Sequence, residues 1–213
     1  MQKPIVIAYH LIWTAYGYWL PNDPRGSMSK TIACDVIGEL GALHYGRKRV
    51  QPSAREVREF RDSARRVLKH ELLEFKQSDF PVIADALADA IREHNYTCYA
   101  CAIMPDHVHI LIRKHGHQAE AMLENLQSAT RLRFRNEGLR SEDHPVWGGP
   151  GWKVFLDTPD SIRRTIGYID GNPPKWRLHR QRWPFVKEYD GWPLHPGRNP
   201  NSPYAKRLRL HME

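Results

Sequence analysis

The chain has 213 residues, 41% of them apolar, which supports one core with extensions or two small domains and excludes a wholly disordered polymer. Its 32 Lys/Arg against 24 Asp/Glu leave a net charge of +8 and point to a polyanionic partner, nucleic acid foremost. No apolar run approaches the ~18–20 residues of a membrane span, the start at Met1-Gln2-Lys3-Pro4 has no leader pattern, and three cysteines without framework spacing suit the cytoplasm.

In chain order, residues 5–14 (Ile-Val-Ile-Ala-Tyr-His-Leu-Ile-Trp-Thr) read as a strand, rich in β-branched and aromatic side chains. An aromatic, turn-rich loop follows, and residues 28–52 show little periodicity and carry a basic cluster at Arg47-Lys48-Arg49, within a variable stretch near 22–55. Val57, Phe60, Ala64, Val67, Leu68 and Leu72 recur at helical spacing over 54–76. A second helix starts at the N-cap Asp79, with Pro81 in its first turn and Ile83, Ala86, Leu87, Ala90 and Ile91 as its stripe.

Residues 96–103 and 107–113 read as a hairpin joined by Met-Pro-Asp. Residues 118–136 are helical, ending in the basic run Arg131, Arg133, Arg135, a candidate DNA contact. A short strand at 152–156 precedes a helix opened by Thr158-Pro159 and striped by Ile162, Ile166 and Ile169. This order predicts an α+β, ferredoxin-like sandwich: an antiparallel sheet with helices on one face, leaving the other face free to carry a site.

Residues 1–172 read as the main domain and 173–213 as an irregular basic tail. The tail holds seven of sixteen prolines, three of seven tryptophans and about +6 of the +8 charge (nine Lys/Arg, three Asp/Glu). Lys175, Trp176, Arg177, Arg180 and Arg182 interleave cations with a ring, which suits phosphates and stacked bases of single-stranded DNA. The plainer reading has the tryptophans packing on the domain while the charges stay solvated.

The sharpest motif is Met104-Pro105-Asp106-His107-Val108-His109-Ile110-Leu111-Ile112. Residues two apart on a strand share a face, so His107 and His109 project side by side while Val108, Ile110 and Ile112 point into a core. Two imidazoles on a rigid strand form a ready pair of metal ligands. Cys98 and Cys101 raise a zinc alternative, but a spacing of three sets the thiols on opposite faces of a strand. His115-Gly116-His117 reads as loop, and His10 on the first strand is left open.

Tyr168 and Asn172 stand i and i+4 on the last helix, on a polar flank with Ser161, Arg164 and Thr165. Gly171 and two prolines end the helix there, freeing the Asn172 amide to turn towards a metal. Arg164, one turn before Tyr168, is the candidate stabiliser of a tyrosinate or phosphate.

The run at 104–112 resembles the HUH motif of the single-tyrosine transposases, and Tyr168-Ile169-Asp170-Gly171-Asn172-Pro173 resembles the catalytic helix of their REP-associated members. The opening Tyr-His-Leu-Ile-Trp-Thr and the Trp-Leu-Pro-Asn-Asp-Pro-Arg-Gly-Ser loop are similar too, so the likeness spans about 5–173. The resemblance implies Mg²⁺ or Mn²⁺ held by His107, His109 and Asn172, with Tyr168 as nucleophile on single-stranded or hairpin DNA. It implies a 5′-phosphotyrosine intermediate and strand transfer, from a monomer or a homodimer. A non-catalytic, domesticated hairpin-binding regulator on the same fold is the alternative.

Overall fold

The computed structural model describes residues 4–32 and 34–208. Residues 1–3, part of the stretch read for a leader, and the tail's last five residues lie outside the described residues. The elements are β1 (Ala8–Ala15), α1 (Asp35–Gly38), α2 (Ala54–Val67), α3 (Asp79–Glu93), β2 (Cys98–Ile103) and β3 (His107–Arg113), then α4 (Ala119–Asn136), β4 (Trp147–Leu156), α5 (Pro159–Asp170), α6 (Asn172–Lys175) and α7 (Pro203–Arg207).

The four strands form one antiparallel sheet in the order β2-β3-β1-β4. Between β1 and β2 comes α3, and between β3 and β4 comes α4, which gives the α+β arrangement expected for a ferredoxin-like sandwich. Both helices cover the same face. Ile83 and Leu87 of α3 and Met122, Leu126 and Phe134 of α4 bury against Leu11, Trp13, Val108, Ile110 and Ile112. Because strand side chains alternate, His10, His107 and His109 emerge on the other face.

That second face is not bare. Ile162 and Ile169 of α5 pack there against Ala100, Ala102, Leu111 and Leu156. The helix is set by its ends: Thr158 and Ser161 form a capping box, Pro159 occupies the first turn, and Gly171 is the C-cap. Fully burying two isoleucines contributes roughly 3–6 kcal/mol towards docking α5 over the sheet.

Three local readings change. The helix expected over 54–76 stops at Val67, where Leu68 turns extended (ψ 139°). Residues beyond it are captured by the core instead: Leu73 N–H donates to the Tyr16 carbonyl and Phe75 N–H to that of Pro105, with Leu73 and Phe75 buried. The second helix has Ser78 at its cap position, while the Asp79 carboxylate accepts from Lys76 N–H at 2.9 Å.

The last strand begins five residues earlier than 152, through Gly148-Gly149-Pro150-Gly151, because β1 supplies a pairing edge with an irregularity between Ile12 and Thr14. Gly151 has φ +68°, and a Cβ there would stand 2.7 Å from the Ile12 carbonyl oxygen. Only glycine suits that bend.

The two thiols also break simple alternation. A bulge between Cys98 and Ala100 puts Cys98 and Cys101 on the same, helix-covered face of the sheet. The sequence spacing alone had placed them apart. They lie on the opposite face from His107 and His109, so the four residues do not form a zinc site.

Much of the tail is built into the domain. The Gln181 side chain pairs with both backbone groups of one β2 residue, accepting from Ile103 N–H (2.8 Å) and donating to its carbonyl (2.7 Å). Val186 bridges to Cys98, and Lys187 N–H donates to the Cys98 carbonyl at 2.8 Å. The outer edge of β2 is thereby covered. Trp192 donates to the Ile7 carbonyl and lies under the Arg113 guanidinium, 3.4 Å from its ring centre. No helix among the described residues is long and apolar enough to cross a membrane.

Candidate catalytic site

The site forms where α5 and α6 lie over β2 and β3, with Tyr168 reaching His10 of β1. The β2–β3 turn is tight, with Met104 N–H donating to the His107 carbonyl, and it fixes the start of the strand. His107 and His109 then present their Nε2 atoms to one another at 3.1 Å. The far nitrogen of each ring is occupied: His107 Nδ1 lies 2.5 Å from Asp106 Oδ1, and His109 Nδ1 lies 3.0 Å from His10 Nε2. Both rings are therefore oriented from behind, with their Nε2 atoms converging. A carboxylate oxygen accepts, so His107 Nδ1 is the donor towards Asp106.

Burial disfavours the charged form of two of these rings, His10 and His109. Burial pushes the His10 ring down to about 4. It also holds His109 well below the usual imidazole range, with the neighbouring His107, His10 and Lys175 adding to the effect. Neutral imidazole is the form that ligates a cation.

Tyr168 stands edge-on to the pair. Its ring centre is 5.5 Å from that of His109, at an interplanar angle of 89°, and 6.0 Å from that of His10. The ring is 49% exposed, open to a solvent-borne substrate. Asn172 is buried, and its Nδ2 donates to the Tyr168 carbonyl at 3.1 Å. The amide oxygen is the remaining polar end of that side chain.

The donor set fits a hard or borderline divalent cation: two imidazole nitrogens converge, and an amide oxygen lies on the helix turn beside Tyr168. Among the described residues no three His, Cys, Asp or Glu side chains are grouped to hold a metal by themselves. The Asn172 amide oxygen is a further donor of suitable chemistry on the adjoining helix turn.

The cation at Tyr168 is Lys175, not Arg164. Lys175 Nζ lies 5.2 Å from the Tyr168 ring centre, while Arg164 is exposed and makes no hydrogen bond or ion pair among the described residues. On a single helical flank Arg164 looked close, but α6 turns the chain back and delivers Lys175 instead. Trp176 follows, half exposed and 6.1 Å ring-to-ring from His107.

The other basic candidates divide. Arg180 and Arg182 line a cleft of about 700 Å³ with Tyr99, Ile166, Asp170 and Tyr189, on the far flank of α5. Arg177 is exposed, in the left-handed region (φ +59°). Arg131 and Arg133 of α4 belong to the opposite layer and are engaged within the protein, Arg131 with Glu124 and Arg133 with Asp89, each at 2.6 Å. Arg135 stays exposed on that helix. The fold does not bring the α4 arginines to the histidines.

His115 and His117 lie at the other end of β3, with Tyr96 OH 2.7 Å from His117 Nδ1. Asp106 and His10 were the residues that sequence reasoning did not assign. Asp106 adjoins His107 in the chain and was legible as its carboxylate partner. His10 needed the β1–β3 register, which sets Ile12 opposite His109 and His10 on the diagonal.

Residues 64–156, from the end of α2 through β4, match the family model described as "Transposase IS200 like". This segment is similar to the IS200-like transposases. It contains His107 and His109, whereas His10, Tyr168 and Asn172 lie outside the matched transposase segment. Among solved structures, the chain is similar to a REP-associated tyrosine transposase bound to a REP hairpin, at 12% identity and TM-score 0.45 over 87% of this chain and 79% of that one. It is also similar to a candidate transposase from Deinococcus radiodurans R1, at 15% identity and TM-score 0.37 over 79% and 97%. No curated protein matches the chain.

Proposed function

We propose that this chain is a metal-dependent DNA strand transferase that nicks single-stranded, hairpin-bearing DNA through Tyr168 and rejoins it. One observation carries the reading: the converging Nε2 atoms of His107 and His109 share an open face with the Tyr168 ring. The match of residues 64–156 to a transposase family supports the substrate class.

His107, His109 and the Asn172 amide oxygen would hold Mg²⁺ or Mn²⁺. When bound, the ion supplies Lewis-acid polarisation of the scissile phosphate. Tyr168 Oη attacks phosphorus, forming the Tyr O–P bond as the P–O3′ bond breaks. The phenol proton is lost and the departing 3′ oxygen takes one up, leaving a 5′-phosphotyrosine and a free 3′-OH. Lys175 offsets the negative charge that develops near the phenol and the phosphate. Because the new link is again a phosphodiester, attack by a 3′-OH reverses the reaction without ATP. Trp176 offers a stacking face beside the site, and Arg177, Arg180 and Arg182 offer phosphate contacts further along the tail.

The test is a labelled single-stranded hairpin oligonucleotide incubated with Mn²⁺ and resolved on a denaturing gel. A covalent protein–DNA band is expected from the wild type and none from Tyr168→Phe. Hairpin binding without any adduct would instead make the chain a regulator.

A further inference from the structure

The histidine-bearing face of the sheet continues past the histidines, and strand register sets what lies there. Ile12 of β1 pairs directly with His109 of β3 on one side and with Trp152 of β4 on the other. Directly paired residues of antiparallel strands project to the same face. Trp152, Ile12 and His109 thus form one row across three strands, and Trp152 starts two strand spacings, about 10 Å, from His109. His10 and its partner Val154 form the next row along. α5 and α6 pack on β2 and β3 and leave the β1–β4 half accessible. There Val154 is 43% exposed, and Ile12 and Trp152 are partly exposed.

A second indole is held beside the first. The Trp19 ring centre lies 6.1 Å from that of Trp152, at an interplanar angle of 66°, and Trp19 Nε1 donates to the Gly26 carbonyl at 2.6 Å. The Trp19 backbone sits in the left-handed region (φ +57°), a costly conformation for a bulky residue that the surrounding loop enforces. The Arg25 guanidinium lies 4.0 Å from the Trp19 ring centre and is gripped through two nitrogens by the buried Asp23 carboxylate. Its charge is offset within the loop. What remains is a fixed stack of flat groups rather than a phosphate clamp.

We propose that Trp152, supported by Trp19, is a stacking platform for one unpaired base of the DNA strand whose phosphate reacts at Tyr168. The inference rests on the proposed DNA substrate and adds where the strand runs. Two observations choose this occupant: the row from His109 to Trp152 is continuous with the candidate site, and its end is aromatic in a chain of net charge +8. A duplex keeps its base faces stacked on one another, so an unpaired nucleotide is what offers a face to an indole. Trp176 stands 6.1 Å from His107 and follows α6, which packs on β2 at the opposite side of the histidine strand. A strand crossing the sheet is then held by one indole on each side of the reacting phosphate. Every base has such a face, so Trp152 fixes position without selecting sequence.

Fluorescence anisotropy of the full chain tests this, using a hairpin oligonucleotide with single-stranded flanks and an abasic residue placed at each flank position in turn. Removing the base at one flank position is expected to weaken wild-type binding about tenfold. Trp152→Leu is expected to bind the intact oligonucleotide about tenfold more weakly and to be indifferent to that position. Trp152→Phe is expected to keep the wild-type pattern, and Trp176→Leu to lose sensitivity at a different position. The dependence of affinity on salt is expected to be unchanged in Trp152→Leu, because no phosphate contact is removed. A folded Trp152→Leu variant with wild-type affinity and abasic pattern overturns the inference, as does a shallower salt dependence or the loss of one shared position in both leucine variants. Absence of any abasic-sensitive position in the wild type overturns it without recourse to a variant. Altered self-association of Trp152→Leu with unchanged DNA binding makes this face a protein interface and overturns it too. Failure of the wild type to bind the oligonucleotide overturns both this inference and the proposed function. Position-specific sensitivity without a Tyr168–DNA adduct upholds the inference and overturns the nicking reaction alone.

Discussion

Lys175 Nζ sits 5.2 Å from the centre of the Tyr168 ring, on the short helix α6 that follows α5. A cation there offsets the negative charge that develops as the phenol oxygen attacks. Lys175→Met is expected to slow single-turnover cleavage by about 10²-fold while leaving the protein folded. Arg164→Ala is expected to leave that rate within about twofold. Single-turnover kinetics on the labelled hairpin, with both variants in parallel, check the assignment.

Gln181 satisfies both the backbone N–H and the backbone carbonyl of Ile103 at the β2 edge. Gln181→Ala should destabilise the fold by about 1–3 kcal/mol, since a partly buried donor and acceptor both lose their partner. Gln181→Glu should be no better, because a carboxylate accepts from the amide but opposes the carbonyl. Urea unfolding of the three proteins gives the ranking. Equal midpoints would show that the tail does not brace the edge.

Gly151 accommodates φ +68° beneath the Ile12 carbonyl. Gly151→Ala is expected to cost about 1–3 kcal/mol, because the backbone is strained for an L-residue and the new Cβ meets a backbone oxygen that cannot step aside. A thermal melt reads the loss directly. Gly116→Ala, where no heavy atom stands within 4 Å, is the matched control.

Burial pushes the Cys98 thiol up to about 12 and the Cys101 thiol well above its ordinary value, whereas Cys34 is exposed. Thiolates are the reactive form, so native protein at pH 8 should take up iodoacetamide at Cys34 while Cys98 and Cys101 stay protected until unfolding. The sign for stability follows from linkage. The unfolded thiols ionise near pH 9, below their folded values, so the stabilising contribution is complete below pH 9 and is lost as the pH rises towards 12. Mass mapping of alkylated sites and urea midpoints at pH 8 and 10 check both statements.

Short-range chemistry made much of this protein legible. The alternation through His107-Val108-His109 determined that two imidazoles share a face, and the cap signals Thr158-Pro159 and Gly171 determined where the Tyr168 helix begins and ends. The order of periodic segments determined the sheet class, since strands and helices of those lengths have few ways to bury their apolar sides together. Other features depended on partners distant in the chain. Leu68 leaves its helix because the core captures Leu73 and Phe75, and the glycine-rich run at 148–151 becomes strand because β1 offers it an edge. Cys98 and Cys101 share a face only because β2 carries a bulge. Above all, the join of His10 Nε2 to His109 Nδ1 and the delivery of Lys175 rather than Arg164 to Tyr168 were settled by strand register and by a reversal of the chain after Gly171. A hydrogen bond needs its two atoms within about 3 Å, and residues 99 positions apart reach that distance only through the tertiary fold.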